Sequence, residues 1–494
     1  MNPLADSRAP RTVAPAAAGD RLQRRLGLAV GVLAGFVALQ MQSLELRWIV
    51  LPTVGLAGAI IVLVMPNKER VLSAAMVLSL QANLNLRLLY GHADSAGLAI
   101  PWTVIIAAAL LGLYLWKGEF RTGRRWVWRG AMGAPILFYI ATTAAPILAT
   151  SERFVGATQI LFDLQLYLVY LLVLNSVRTR DDVRRIVILL FIALGMQSAI
   201  YYIQSGLGIT FMLSGHTAAQ GEIPRPGGTI STVPAEFASF IIPILMIAVS
   251  TFITRGTLVR RGPLAVAIAM AMGAIALTYT RAAWAGVVLG SAWIMVVGHR
   301  HRLLRRRALA HVCCAAVAAV VILTPMIAKR LAGSPLGSSY SERVALMSMA
   351  VDIIKQEPVL GVGAGAYGHV FRHYLGANHD GAWMWIVHNK YLLRTAETGL
   401  AGGLALIVLF GAAIRLSLRL VRSPDPLVAK LALGTGAGLI AMCWEMYWDT
   451  FRGFTYNALL WLLFGLLAVC WQLERQRALE QSDSDAAAGR LARR

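Results

Sequence analysis

The chain has 494 residues, 57% of them hydrophobic and only 14% charged, with a mean hydropathy of +0.64. That composition excludes an ordinary water-soluble domain and places most of the chain in a bilayer. A formal charge of +22 would suit nucleic acid in a soluble protein, but about 33 of the 46 Lys and Arg fall in every second loop between apolar runs, the positive-inside bias of a membrane protein, which argues against a nucleic-acid partner.

Residues 1–25 are polar and Ala/Pro-rich, with Arg8, Arg11, Arg21, Arg24 and Arg25. They are expected as a disordered cytoplasmic tail, because the first apolar run lacks the small-residue cleavage site of a signal peptide. Residues 26–471 are predicted to be an all-α polytopic membrane protein of about 14 transmembrane helices, each long enough to cross about 30 Å of hydrocarbon. In chain order the spans are Leu26–Gln42, Trp48–Met65, Val71–Tyr90, Leu98–Trp116, Met132–Thr150, Val155–Val177, Arg185–Ser205, Val233–Thr254, Pro263–Thr280, Ala282–Gly298, Leu309–Ala328, His388–Leu418, Ala429–Thr450 and Phe454–Trp471. Both termini then lie in the cytoplasm, the second as a tail over residues 472–494. Cys313, Cys314, Cys443 and Cys470 all sit within apolar runs and are expected to be packing residues.

Two loops on the periplasmic side are too long for plain connectors and are the functional candidates. Gly206–Thr232 is Gly/Pro-rich and carries His216, Glu222 and Arg225. Lys329–Val387 contains a helical pattern of its own: Ser339 and Glu342 have capping-box spacing, and Val344, Met347, Val351 and Ile354 form one apolar stripe before Pro358. This predicts an amphipathic helix over the bundle mouth or on the membrane surface. The following GVGAGAYG, at 361–368, has the glycines of a nucleotide fingerprint but no preceding strand and no βαβ unit, so a flexible turn over the site is the expectation.

Ionisable groups at a membrane mouth are costly and need a reason. Arg281, between two apolar runs, is either an anion ligand or a snorkelling interface residue. Arg225 and Arg343, taken singly, read as solvated loop residues. Three guanidiniums on the outer side nevertheless suit a diphosphate, which each can grip through a planar fork. His388 opens an apolar helix at the outer interface, where a neutral imidazole can accept a proton from a hydroxyl, with Asn389 and Tyr391 beside it. Arg394 and Glu397, three apart on that helix, are expected as an internal ion pair. Glu445, Asp449 and Arg452 follow on the outer half and read as polar contacts between spans. His369 and His373 have metal-ligand spacing, but HVFRH lacks the Glu of a zincin helix and no acidic pair accompanies it outside, so no metal is indicated.

Four stretches in this order, PGGTISTVPAEFASF, LTYTRAAWAGVVLG, SERVALMSMAVDIIKQEPVLGVGAGAYG and VHNKYLLRTAETGLAGG, resemble the O-antigen ligase and O-antigen polymerase superfamily of bacterial membrane glycosyltransferases. The likeness spans about residues 225–403. It implies an inner-membrane enzyme acting at the periplasmic face without metal or other cofactor, and an inverting displacement at the anomeric carbon of a polyprenyl (undecaprenyl) diphosphate-linked glycan. His388 would be the base, and Arg281, Arg225 and Arg343 would hold the donor diphosphate, supported by Asn389, Tyr391, Arg394 and Glu397. The partners would be that lipid-linked donor, membrane lipid, and either a lipid A-core acceptor, as in a ligase, or a second lipid-linked glycan, as in a polymerase. A transporter or flippase for the same lipid-linked sugars is the alternative from another class. It would line a central cavity with polar groups, whereas the ionisable residues here gather at one face.

Overall fold

The computed structural model describes residues 65, 67–87, 99–116, 126–212, 217–219, 225–256, 258–305, 307, 310, 324–325, 336–374 and 386–491. Contacts divide the chain into Met1–Leu72 and Ser73–Arg494, and the functional elements all belong to the second unit. The N-terminal tail and the spans expected at Leu26–Gln42, Trp48–Met65 and Leu309–Ala328 lie outside the described residues, isolated positions apart.

Long apolar runs become helices because a backbone in hydrocarbon must satisfy its N–H and C=O groups within the segment. In chain order the helices are α1 (Lys68–Ser79), α2 (Trp102–Trp116), α3 (Gly133–Ala144, continued by a 3-10 turn to Leu148), α4 (Arg153–Ser176), α5 (Arg180–Leu207), α6 (Pro234–Ile253), α7 (Arg261–Leu277), α8 (Arg281–Arg300), α9 (Leu336–Gln356), α10 (Tyr367–Val370), α11 (Lys390–Leu420), α12 (Pro426–Glu445) and α13 (Phe454–Leu491). Seven of them, α4, α5, α6, α8, α11, α12 and α13, are long and apolar enough to cross a membrane, and α2, α3 with its 3-10 turn, and α7 are shorter apolar helices. These ten lie where ten spans are expected, and the protein is a predominantly helical, polytopic membrane protein.

The expected span Val71–Tyr90 is different. Its helix stops at Ser79, and the chain turns into the strand β1 (Asn85–Arg87), paired antiparallel with β2 (Ala99–Pro101). Polar residues interrupt the apolar run here: Asn83 adopts a positive φ of 39° and donates a hydrogen bond to the Ile230 carbonyl. A second small hairpin, β3 (Ile209–Phe211) with β4 (Thr217–Ala219), follows the left-handed cap Gly208 of α5. At the other end of the chain, α13 runs on as a helix through the segment expected as a tail, to Leu491.

The core is built on α6, which packs against α8 and α12. Small residues permit the approach: a Cβ at Gly434 would stand 2.5 Å from the Ile247 Cα, and one at Gly438 would stand 2.8 Å from the Pro243 Cα, so α12 lies backbone to backbone on α6. Basic loops collect at one end of this bundle. Arg180, at the start of α5, pairs with Asp425 at 2.5 Å just ahead of α12, Arg184 donates to the Leu258 carbonyl at 3.1 Å, and Arg305 donates to the Thr254 carbonyl at 2.7 Å. The 20 residues of α12 then rise about 30 Å to the opposite end.

There α11 is broken. Thr398 and Gly399 leave helical geometry, Gly399 with φ 71° and ψ −179°, a region open essentially to glycine alone. The Leu400 N–H, which a regular helix would give to the Ala396 carbonyl, donates instead to the Pro358 carbonyl at 2.9 Å. The freed Ala396 and Glu397 carbonyls accept from Val362 at 2.9 Å and Gly363 at 3.0 Å. The glycine-rich stretch after α9 is therefore a turn, as expected, but one clamped to a transmembrane helix rather than flexible.

Two details of α9 depart from the sequence expectation. The helix starts at Leu336, a turn ahead of the capping box expected at Ser339, which sits inside it. Its buried face is Leu346, Met349, Ala350 and Ile353, packed on Tyr367, Phe371, Leu393 and Ala396, while Val344 and Val351 of the expected stripe are exposed. Apolar residues occupy more than one face of α9, and docking onto α11 selects which is covered.

At Gly399 a Cβ would run into the Val359 carbonyl, whereas at Gly411 of the same helix nothing lies within 4 Å. Gly399→Ala is expected to destabilise the protein by at least about 1–3 kcal/mol and to reduce activity, while Gly411→Ala is neutral or stabilises by up to about 1 kcal/mol. Thermal unfolding of the two purified variants in detergent checks the contrast, and equal midpoints would show that the break carries no strain.

Candidate active site

The start of α11 is tied to the end of α12. Asn389 caps α11 by accepting from the Leu392 N–H at 3.0 Å, the Lys390 N–H donates to the Met446 carbonyl at 2.7 Å, and the Tyr391 hydroxyl donates to the Cys443 carbonyl at 2.9 Å. These bonds hold the half-buried His388 just outside the first turn, beside residues 446–449.

Arg343 reaches the same place from α9. Its Nη1 donates to the Trp448 carbonyl at 3.3 Å, and its guanidinium lies 5.8 Å from the Trp448 ring centroid. Asp449 acts electrostatically on both Arg343 and His388, and Arg281 acts on Arg343. Arg281 is exposed in the first turn of α8, where a cation runs against the helix dipole unless an anion joins it. Arg225 donates through Nε to the Thr278 carbonyl at 2.8 Å, so Arg225 and Arg281 flank the single turn between α7 and α8. The loop carrying Arg225 is seated on α5, where Gln197 donates to the Thr229 hydroxyl at 2.6 Å and Gln204 to the Gly228 carbonyl at 3.0 Å. Three residues expected from sequence, His388, Arg343 and Arg281, are thus linked through Arg343 from three separate segments, and Arg225 is held at the turn that precedes Arg281.

Arg394 and Glu397 do not pair with each other as expected. Glu397 meets Arg452 at 3.5 Å. Arg394, 2% exposed, turns to α3, donating through Nη2 to the Tyr139 carbonyl at 3.0 Å and the Thr143 hydroxyl at 2.6 Å, with its guanidinium 4.1 Å from the Tyr139 ring centroid. The Thr143 hydroxyl passes its own hydrogen to the Asp163 carboxylate at 2.6 Å. Both residues lie ahead of the break at Thr398, and the physical reason is docking: α3 offers Arg394 the Tyr139 carbonyl and the Thr143 hydroxyl, while Arg452 comes to Glu397 from another segment.

Asp163, Lys390 and Glu236 are members of this polar layer that are not among the residues expected from sequence. Asp163 carries the clearest signal, an acid inside the apolar run ILFDLQLYL, where a carboxylate is costly unless paired. Lys390 lies within electrostatic reach of Glu397, Arg394, Arg452 and Asp163, and Glu236 within reach of Asp449. Glu445, 3% exposed, accepts from the Ser239 hydroxyl at 2.6 Å.

Burial lowers the His388 imidazole below its ordinary value. Asp449 opposes that shift and Arg343 adds to it. The ring is therefore neutral at neutral pH, as a proton acceptor must be. Burial likewise lowers Arg343, with Asp449 opposing and Arg281 reinforcing. The imidazole thus stands beside the Arg343 guanidinium and the Asp449 carboxylate, with Arg281 within electrostatic reach of Arg343.

Residues 265–407 match the family model described as O-Antigen ligase. The matched segment carries Arg281, Arg343, His388, Asn389, Tyr391, Arg394 and Glu397, while Arg225 and Asp449 lie outside it. A comparison with curated proteins gives no match.

The pH dependence of turnover tests the electrostatics of this mouth. The active form of a base is the deprotonated one, so a lowered imidazole keeps kcat/KM high to a pH below the ordinary histidine range of about 6.5. Asp449 raises the imidazole, so Asp449→Asn is expected to move the acidic limb of the kcat/KM profile to still lower pH. A limb that stays in place would separate Asp449 from the base.

Proposed function

We propose, from the match of residues 265–407 to the family model described as O-Antigen ligase, that the chain is an inverting glycosyltransferase of the ligase type, which moves a glycan from a polyprenyl (undecaprenyl) diphosphate onto a hydroxyl of a lipid A-core acceptor. The observation that carries this reading is that His388 and Arg343 both lie within electrostatic reach of Asp449, with Arg281 within reach of Arg343. In the reaction the acceptor hydroxyl oxygen bonds to the anomeric carbon as the bond from that carbon to the diphosphate oxygen breaks. His388 takes the hydroxyl proton. Arg281, Arg225 and Arg343 stabilise the charge that gathers on the departing diphosphate, through preorganised forks that need no metal ion. Asp449 stabilises the imidazolium that forms, and Asn389 and Tyr391 hold the helix start that positions the base. The lipid tail of the donor lies against the apolar faces of the spans.

The reaction takes place on the periplasmic side of a bacterial inner membrane. The basic loops joined at the far end of the bundle support a cytoplasmic assignment for that end. An alkaline phosphatase fused within Gly361–Gly368 is expected to be active and one at the C-terminus inactive, and the reverse pattern would overturn the orientation.

Purified full-length protein supplied with lipid-diphosphate-linked glycan and lipid A-core tests the chemistry. General-base assistance is worth about 10² to 10⁴ in rate, so His388→Gln is expected to retain well under about a tenth of wild-type turnover. Arg281→Lys keeps the charge and loses the fork, with an expected loss of about 10- to 100-fold. Full activity in both variants would reduce these residues to structural anchors. Product that contains only lengthened lipid-linked glycan would assign a polymerase.

A further inference from the structure

At the end of the bundle away from His388, a cleft of about 700 Å³ opens between the start of α5, the connection from α6 to α7 and the start of α12, a size within the ordinary range of ligand pockets. Lys430 lines it from the second turn of α12 and is only 5% exposed. Its Nζ lies against Gly256, where an added Cβ would stand 3.2 Å away. Among the described residues no carboxylate pairs with that ammonium. The charges acting on it, Arg305 and Arg261, are of its own sign. A buried ammonium surrounded by cations is costly unless an anion completes the site.

Two of the nearby carboxylates are already engaged. Asp425 is forked by Arg180, with Nε to Oδ2 and Nη2 to Oδ1 both at 2.5 Å, and accepts from the Leu427 N–H at 2.9 Å as the cap of α12. Asp182 caps α5 with Thr179 and lies 3.6 Å from Arg185. Asp181 is the single acid lining the cleft and is exposed at its rim. Arg184, across the opening, donates to the Leu258 carbonyl at 3.1 Å, and Arg305 spends its donors on the Thr254 and Gly256 carbonyls at 2.7 and 3.4 Å. Each helix start has a side-chain cap, Thr179 on the Asp182 N–H and Asp425 on the Leu427 N–H, and the anion specificity rests on Lys430 and Arg184.

We propose that this cleft binds a phosphate group, with Lys430 donating from its floor and Arg184 from its rim. The cleft lies where two spans begin, at headgroup depth, and Leu258 and Leu427 border it, which suits the phosphate of an anionic glycerophospholipid. Free phosphate has the same chemistry. The site does not depend on the transferase reading, because it uses the opposite end of the bundle.

Thermal unfolding of the full chain in neutral detergent, titrated separately with dioctanoyl phosphatidylglycerol, dioctanoyl phosphatidylcholine and sodium phosphate, tests the site. Phosphatidylglycerol is expected to raise the midpoint saturably and phosphatidylcholine to leave it unmoved. The half-saturating concentration should rise at least about tenfold in Lys430→Met, because charge-assisted hydrogen bonds to phosphate are lost. Lys430→Met removes a buried charge and should fold at least as well as wild type. Should it not fold, the exposed Arg184→Gln supplies the same measurement with a smaller shift. A Lys430-dependent effect of phosphate equal to that of the lipid would confirm the anion site and assign it to free phosphate. No saturable effect of either anion, an equal response to phosphatidylcholine, or an unchanged half-saturation in the folded variants would overturn the proposal.

Discussion

The exchange of backbone hydrogen bonds at the break in α11 is the constraint on which the candidate site depends. A transmembrane helix ordinarily keeps every bond within itself, since unsatisfied groups in hydrocarbon are expensive. Here Leu400 gives its N–H to Pro358, and the carbonyls of Ala396 and Glu397 take those of Val362 and Gly363. These three bonds fix the segment after α9 to α11. Gly399 allows the break because its backbone angles exclude a side chain, and the Val359 carbonyl fills the space a Cβ would need. The clamp at the C-terminal end of α9 and the apolar contact of Leu346, Met349 and Ile353 with Leu393 and Ala396 together aim the other end of α9, with Arg343, at the Trp448 carbonyl.

The polar residues of α11 ahead of the break have two tasks. Asn389, Lys390 and Tyr391 bond to the end of α12 and set the height of His388. Arg394 and Glu397, a turn or two deeper, bind α3 and Arg452. A buried guanidinium such as Arg394 adds little net stability once its desolvation is counted. Its value is specificity, because only one docking of α3, α4 and α11 brings the Tyr139 ring, Thr143 and Asp163 to it together. Removing Asp163 or Thr143 alone would strand charge in the bundle and cost more than the network contributes intact.

Cations serve different ends at the two poles of the molecule. At the basic pole, Arg180 is held by Asp425, while the charges acting on Lys430, those of Arg305 and Arg261, share its sign. At the other pole Arg343 and Arg281 are close enough to repel, with Asp449 shared between Arg343 and His388. Like charges held in proximity by a rigid scaffold form a preorganised receptor for an anion: the repulsion is built in during folding and is relieved when the anion arrives.

Hydropathy and loop charge determine, from the sequence alone, that the chain is a polytopic helical protein and where ten of its described helices lie, because crossing hydrocarbon demands a length and an apolarity that any window reveals. They fail at Val71–Tyr90, where an apolar run continues past the point at which Asn83 turns the backbone. The candidate residues His388, Arg281, Arg343 and Arg225 are legible as costly polar groups at a mouth, and the order of four motifs resembles that of one family. What the sequence does not determine is pairing. Spacing joins Arg394 to Glu397, yet the tertiary structure gives Arg394 to Thr143 and Glu397 to Arg452, since partners from distant segments arrive only when helices dock. Spacing likewise puts Val344 and Val351 on the buried stripe of α9, whereas the structure buries Leu346, Met349, Ala350 and Ile353. A helix with apolar residues on several faces has no preference until a neighbour covers one of them, and that neighbour, α11, is positioned by a backbone break that no local pattern encodes.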